Sequence, residues 1–274
     1  MRRAPGRLVL IGHPVAHSLS PALQNAALRD AQLPIVYEAI DVPPHALEGA
    51  VQRLVTSRAG GNVTIPHKAA MAHHCGRLDV IARRVNAVNT FRVDDDDVLE
   101  GTNTDVGGFD ALAREVGALR AGARVALLGA GGSAAAVLAA VERWSGASVT
   151  LFNRTRARAA ALAERFPVVE TVAATADEAV RNATVVVNAT SLGLRAADSF
   201  PVAIDSLPPG TAVLDLVYRP RETAWVKAAR DRGHLAADGL CMLLEQGALA
   251  FEWWFGIAAP RDVMRQALSS AMQS

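Results

Sequence analysis

Val125-Ala-Leu-Leu-Gly-Ala-Gly-Gly-Ser-Ala134 decides the fold of this chain. The segment runs from a short apolar β-type stretch through a glycine-rich turn into an Ala-rich helical stretch. Gly129, Gly131 and Ala134 match G-x-G-x-x-[G/A] in the setting that gives this weak pattern meaning, after a strand and opening a helix. Each small residue has a physical task. Gly129 permits the tight turn, Gly131 lets a pyrophosphate approach the backbone, and Ala134 allows close helix–strand packing. Ala130 completes the turn, and Gly132 and Ser133 begin a helix whose first N–H groups are free to meet phosphate oxygens.

Reading downstream, a second strand is expected over Ser148–Phe152, and its end selects the dinucleotide. A site for NAD usually carries Asp or Glu about 20 residues past the first glycines, to hold the ribose 2′-hydroxyl. This chain reads Phe152-Asn-Arg-Thr-Arg-Ala-Arg158 instead. Arg154, Arg156 and Arg158 cluster there with Asn153 and Thr155 and without a carboxylate. Guanidinium groups match a 2′-phosphate in paired hydrogen bonds, so the expected cofactor is NADP. Cations in a first helical turn also oppose the helix dipole unless an anion compensates.

Working outward, short β-branched runs alternate with longer Ala-rich runs, the pattern of an α/β protein with a mostly parallel sheet. Strands are expected at Arg7–Ile11, Ile35–Asp41, Gly61–Ile65, Val88–Val93, Val98–Gly101, Arg124–Leu128, Thr184–Asn188 and Ala212–Leu216. Helices are expected at Ser20–Ala31, Ala46–Ser57, Gly132–Trp144, Arg156–Phe166 and Leu240–Phe255, with Pro66 at another helix start. The acidic run Asp94–Asp97 reads as a solvated hairpin turn. A length of 274 residues makes two domains the natural expectation. The boundary is expected near Gly107–Asp110, in a helix shared across a cleft.

Composition narrows the function classes. A net charge of +1 with no basic face or tail argues against a nucleic-acid partner. No run approaches the ~18 apolar residues of a membrane helix, and the opening residues lack the apolar core of a secretory signal. Two cysteines, Cys75 and Cys241, are too few for a disulfide framework. The expectation is a cytoplasmic enzyme acting on a small molecule.

The front half carries three polar clusters. His17-Ser-Leu-Ser-Pro21 puts Ser18 and Ser20 at a loop-to-helix junction suited to a carboxylate, with Ser20 as a plain N-cap the competing reading. Gly61-Asn-Val-Thr-Ile-Pro-His-Lys68 puts Asn62 and Thr64 on one strand face, with Lys68 in the following turn. Asn86-Ala-Val-Asn-Thr90 and Gly101-Thr-Asn-Thr-Asp105 place amides and a carboxylate at strand ends, where open α/β sheets put their ligands. His73, His74 and Cys75 sit at adjacent positions that point apart, so no metal site is expected. No histidine is assigned to catalysis.

Taken in order, HSLSP, NVTIPHK, AVNT, NTD, GAGGSA, NRT and Asp238-Gly-Leu-Cys-Met-Leu-Leu-Glu-Gln246 resemble the shikimate dehydrogenase family, from Gly12 to Phe255. The resemblance implies a substrate domain over residues 1–106 and 241–274 and a Rossmann-type NADP domain over residues 107–240. It implies reversible NADP-dependent oxidation of shikimate to 3-dehydroshikimate, a step toward aromatic amino acids. Ser18 and Ser20 would bind the substrate carboxylate. Asn62, Thr64, Asn89, Asp105 and Gln246 would bind its hydroxyls, Tyr218 would close the site, and Lys68 with Asp105 would be the catalytic pair. Gly129 through Ala134, Asn153, Arg154, Thr155 and Arg158 would hold the cofactor, with Leu216 and Gly239 near the nicotinamide. Leu216 stands where many members have Met, and Cys241 where many have Gly.

Hydride transfer to a ketone builds negative charge on oxygen, and a nearby ammonium can supply the proton. Lys68 fits that part, and Asp105 fits as its partner and as acceptor for a substrate hydroxyl. Three other readings share much of this evidence: an NAD-using quinate/shikimate dehydrogenase, an aminoshikimate-type paralogue, and a non-catalytic NADP sensor. The sensor would be expected to have lost Lys68 or Asp105. The chain is expected to act as a monomer or homodimer.

Overall fold

The computed structural model describes residues 4–273. They form two compact units, one of residues 4–105 with 243–273 and one of Val106–Met242. Both divisions fall inside helices, Asp105–Glu115 and Leu240–Phe255.

The first unit holds β1 (Leu8–Gly12), α1 (Ser20–Asp30), β2 (Tyr37–Asp41), α2 (Leu47–Thr56), β3 (Gly60–Val63) and α3 (Lys68–His74). Next come β4 (Arg77–Leu78), α4 (Val80–Val85), β5 (Thr90–Val93) and β6 (Leu99–Thr102). The strands form one sheet in the order β2-β1-β3-β5-β6-β4. β1 pairs parallel with β2 and β3, but β5 pairs antiparallel with both β3 and β6, so this sheet is mixed.

β1 shows why its sequence reads as continuously apolar. Side chains alternate across a strand, and both faces of this one are covered. Val9 and Ile11 pack with Val51, Leu54, Met71 and Phe91 on one side. Leu8 and Leu10 pack with Leu23, Leu28, Phe251 and Trp254 on the other. The Asp94–Asp97 run does form the β5–β6 turn, and Arg58 and Arg77 pair with its carboxylates.

The second unit runs through α5 (Asp105–Glu115), β7 (Arg124–Leu128), α6 (Gly132–Val141), β8 (Ser148–Phe152), α7 (Arg156–Arg165) and β9 (Val169–Val172). It continues through α8 (Ala176–Val180), β10 (Val185–Asn188), β11 (Ala212–Asp215), α9 (Ala224–Asp231) and β12 (Ala236–Ala237). Every pairing is parallel, in the order β12-β11-β10-β7-β8-β9. That is the doubly wound arrangement, in which the strand order reverses between β7 and β10 and ligands bind beyond the strand carboxyl ends at that point. Burial follows position: β7 and β10 are apolar and covered, β8 alternates, and edge strand β9 is largely open. α6 buries every residue from Ala134 to Val141.

Chain ends of elements shift from the sequence reading in two informative places. α6 stops at Val141 rather than Trp144, because Trp144 turns to stack on Phe109 with ring centroids 5.8 Å apart. Pro66 precedes the start of α3 by two residues, inside a turn closed by His67 N–H donating to Thr64 O at 2.9 Å. α10 (Leu240–Phe255) and α11 (Arg261–Ala271) complete the order. No helix among the described residues is long and apolar enough to cross a membrane.

Candidate active site

In the first unit, the polar clusters converge on one hydrogen-bonded network. Lys68 opens α3, whose N-cap His67 is buried and bonded through Nε2 to Val42 O. The backbone of Lys68 is fixed too, its carbonyl accepting from Val88 N–H at 2.8 Å. Its ammonium donates to Asp105 Oδ2 at 2.6 Å, with the two side chains 15% and 5% exposed. So short a contact between nearly buried ions is a charge-assisted hydrogen bond rather than a surface pair. Asp105 begins α5, and its own N–H donates to Asn103 Oδ1 at 3.2 Å.

Asn89, just before β5, ties the pieces together. Its Nδ2 lies 2.8 Å from Asp105 Oδ1, 3.0 Å from Thr104 Oγ1 and 3.4 Å from Gln246 Oε1. Two hydrogens cannot serve three acceptors well, so Gln246 has the weakest claim and the most freedom to meet a ligand. Gln246 is anchored instead by Nε2 donating to Leu243 O at 2.9 Å. Asn89 Oδ1 accepts from Thr104 N–H at 2.7 Å, so the amide is engaged at both ends.

Asn62 backs this network from β3. Its Nδ2 donates to Asn89 O at 3.1 Å and Thr90 Oγ1 at 2.9 Å, while its Oδ1 accepts from the buried Tyr37 hydroxyl at 2.7 Å. Both of its hydrogens are therefore committed, and it can meet a ligand hydroxyl only as an acceptor. Tyr37, Thr90, Asn103 and Thr104 are the members that sequence reading did not single out. Thr104 stood inside the NTD segment, but nothing local announces a bond from β2 to β3.

Ser18 and Thr64 lie outside this network, on loops leaving the adjacent strands β1 and β3, as does Ser20 at the start of α1. Ser18 Oγ accepts from Ser20 N–H at 3.2 Å. The N-cap of α1 is Leu19, with no side-chain cap bond, so Ser20 is not the capping residue that its sequence setting allowed. Tyr218 belongs to the other unit, half-buried after β11. Among the described residues no group of three or more His, Cys, Asp or Glu could hold a metal ion.

In the second unit, the glycine turn and the arginine segment leave adjacent strands. β7 and β8 pair with Leu128 opposite Phe152, and Gly129 N–H donates to Phe152 O at 2.8 Å. Gly129 has φ +118, and a Cβ there would lie 2.7 Å from Ala189 O. Only glycine fits that turn. A Cβ on Gly131 would meet nothing within 4 Å, so space lies open in front of it. α6 begins at Gly132 without a side-chain cap, which leaves its first N–H groups for an anion. Ala134 is fully buried. Asn153 Nδ2 donates to Thr155 O at 2.9 Å, shaping the segment that presents the arginines. Arg154, Arg156 and Arg158 are exposed and enter no ion pair among the described residues. Open space, free helix N–H groups and uncommitted guanidiniums together fit a phosphorylated dinucleotide. Leu216 follows β11, and Gly239 packs on it so closely that a Cβ would lie 2.4 Å from Leu216 O.

Three family models match the chain. Residues 10–91 match the shikimate dehydrogenase substrate binding domain, 111–195 the shikimate / quinate 5-dehydrogenase model, and 239–268 the shikimate 5′-dehydrogenase C-terminal domain. The chain is 45% identical to the shikimate dehydrogenase (NADP(+)) of Rubrobacter xylanophilus, over 95% of this chain and 94% of that one. The crystal structure of shikimate 5-dehydrogenase from Thermus thermophilus in complex with NADP(H) and shikimate superposes with a TM-score of 0.88 at 39% identity, covering 97% and 99% of the two chains. A quinate dehydrogenase from Corynebacterium glutamicum in complex with NAD has the same TM-score of 0.88 at 28% identity, covering 98% and 100%. With family models across most of its length and relatives of this identity over nearly all of it, the chain belongs to the shikimate dehydrogenase family.

Proposed function

We propose that the chain catalyses the reversible NADP-dependent oxidation of shikimate to 3-dehydroshikimate. The observation that carries the mechanism is the Lys68–Asp105 pair, nearly buried at 2.6 Å and gripped from behind by Asn89. Lys68 Nζ has two hydrogens beyond the one on Asp105, so it can hold the reacting oxygen of a ligand. In the ketone direction the ammonium gives a proton to the developing alkoxide, and in the alcohol direction the amine takes it back. When bound, NADP accepts or returns the hydride at the carbinol carbon.

Asp105 keeps Lys68 aimed and accepts from a substrate hydroxyl. Asn62 serves as an acceptor, while Asn89, Thr64 and Gln246 complete the contacts to ring hydroxyls. Ser18 and Ser20 take the carboxylate at the start of α1, and Tyr218 closes over the ligand. Gly129, Ala130, Gly131, Gly132, Ser133 and Ala134 cradle the pyrophosphate, and Asn153, Arg154, Thr155 and Arg158 read the 2′-phosphate end. Leu216 and Gly239 border the nicotinamide. The division of labour follows residues 1–106 with 241–274 for substrate and 107–240 for cofactor. We place the enzyme in the cytoplasm, acting as a monomer or homodimer, a setting that suits its two cysteines outside any disulfide.

The test is absorbance of NADPH with shikimate and with quinate, each offered with NADP and with NAD. Fastest turnover is expected for shikimate with NADP. Faster turnover of quinate with NAD would overturn the substrate and the cofactor together.

A further inference from the structure

One buried acid in the second unit has no part in the chemistry above. Asp215 ends β11 with no solvent exposure. Among the described residues no cation pairs with it, and three neutral donors hold its carboxylate. Asn188 Nδ2 and Val217 N–H reach Oδ1 at 2.8 and 3.1 Å, and the Thr223 hydroxyl reaches Oδ2 at 2.8 Å. Burying a carboxylate without a counter-charge is costly. Burial pushes the Asp215 carboxyl up to about 6, against the opposing pull of the Thr223, Val217 and Asn188 hydrogen bonds, and the charge of Asp238 adds to the rise.

Each donor belongs to a different segment beside the dinucleotide site. Asn188 relays the contact into the loop after β10. Its Nδ2 also donates to Leu192 O at 3.0 Å, and its Oδ1 accepts the Thr190 N–H and hydroxyl at 3.0 and 2.6 Å. That loop abuts the glycine turn, since the missing Cβ of Gly129 would touch Ala189 O and lie 3.1 Å from Thr190 N. Val217, held by Asp215 through its N–H, accepts in turn from Gly239 N–H at 3.0 Å. Thr223 fixes the start of α9, capping Val226 N–H at 3.3 Å. The other charges nearby are Asp238, whose environment includes Arg230 and Glu222, and Arg219, which bonds Leu194 O at 3.2 Å on the same loop.

We propose that Asp215 is a positioning residue for the dinucleotide: as a carboxylate it clasps the loops after β10 and β11 in the arrangement that accepts the cofactor, and uptake of a proton loosens the clasp. The proposal rests on the reading that this unit binds NADP. Two donors face Oδ1 and one faces Oδ2, so a proton on either oxygen meets a donor already there, and it strips the charge that makes those bonds about twice as strong as neutral ones. All three bonds lower the carboxyl's pKa, so an arrangement that keeps Asp215 buried but releases them takes the proton more readily. Ionised above a pH of about 6, the clasp is closed, and it weakens as pH falls through that value.

The experiment is titration of NADP by tryptophan fluorescence, for the wild type and Asp215→Asn, from about pH 5 to about pH 8. Asparagine has the shape of the protonated acid and no charge. The 2′-phosphate titrates over the same range, but equally for both proteins, so the ratio of dissociation constants isolates Asp215. The expected ratio is about tenfold at high pH, falling to about one at low pH. A ratio independent of pH, with tight wild-type binding, overturns the clasp alone. Failure of the wild type to bind NADP at any pH overturns the cofactor reading beneath it. Thr223→Val provides a second measurement that does not depend on the folding of Asp215→Asn. Loss of its hydroxyl should move the midpoint of the affinity change to higher pH, and an unmoved midpoint overturns the proposal.

Discussion

The two ligand-facing regions of this molecule are built on opposite plans. Around Lys68, polar side chains hold one another: Tyr37 holds Asn62, Asn62 holds Asn89, and Asn89 holds Asp105. Around Gly129 the work falls to backbone, a missing Cβ and exposed arginines that enter no ion pair among the described residues. A satisfied buried network loses little freedom when substrate arrives, which suits a site that must hold a reacting atom to fractions of an ångström. An open cradle for phosphates needs less precision, because charge and N–H dipoles act over a longer range. The proposed function puts chemistry on the stiff region, and cofactor choice on side chains that can change without disturbing a core.

The largest test of this contrast is Lys68→Ala. Turnover should fall by about 10²–10⁴-fold, the usual worth of a positioned proton-transfer group, while NADP affinity changes little. Steady-state rates with a parallel NADP titration measure both, and undiminished turnover would remove Lys68 from its role. Gly129→Ala should do the reverse. Strained backbone and a Cβ against Ala189 O should weaken NADP by about 10–100-fold, with no loss of shikimate binding by calorimetry. Arg154→Ala should sharpen the assignment of the open region, costing NADP about tenfold more than NAD. Equal losses for the two dinucleotides would show that Arg154 does not read the 2′-phosphate. Tyr37→Phe probes the stiff region from its far end. Removing the donor to Asn62 Oδ1 should cost about 1–3 kcal/mol in urea unfolding and leave cofactor affinity alone. At the small end, Asp96→Asn in the exposed β5–β6 turn should change stability by less than about 0.5 kcal/mol despite its contact with Arg77.

The same contrast explains what could be read in the sequence. The open region was legible because its determinants are local: a turn, a helix start and a strand end lie within one stretch of chain. Strand β1 and residues Val125–Leu128 of β7 were legible because both-sided burial writes an unbroken apolar run. The short elements were not. β4 and β12 have two residues each, too few for any period to show, and α4 and β9 are nearly as brief. The antiparallel insertion of β5 between β3 and β6 depends on which strands pair, which no single strand encodes. In the stiff region Asn62, Lys68, Asn89, Asp105 and Gln246 could be named, but not their mutual bonds or the other members. Asn89 and Gln246 are 157 positions apart, and Tyr37 reads as one more apolar residue in a strand. Asp215 drew no notice inside the strand expected over Ala212–Leu216, because its partners Asn188 and Thr223 come from other segments.

The first unit is discontinuous, and that has a consequence for how the chain is made. Leu8, Leu10, Leu23 and Leu28 are covered by Leu244, Phe251, Trp254, Met264 and Leu268, with Trp254 also donating to Phe91 O. During synthesis the early strands therefore leave the ribosome with one apolar face bare, and they wait through all of Val106–Met242 for their cover. The intervening unit, continuous in sequence, can finish folding in that interval. Nascent chains halted at Met242 should expose the uncovered face to chaperones, and release of the last two helices should end that exposure.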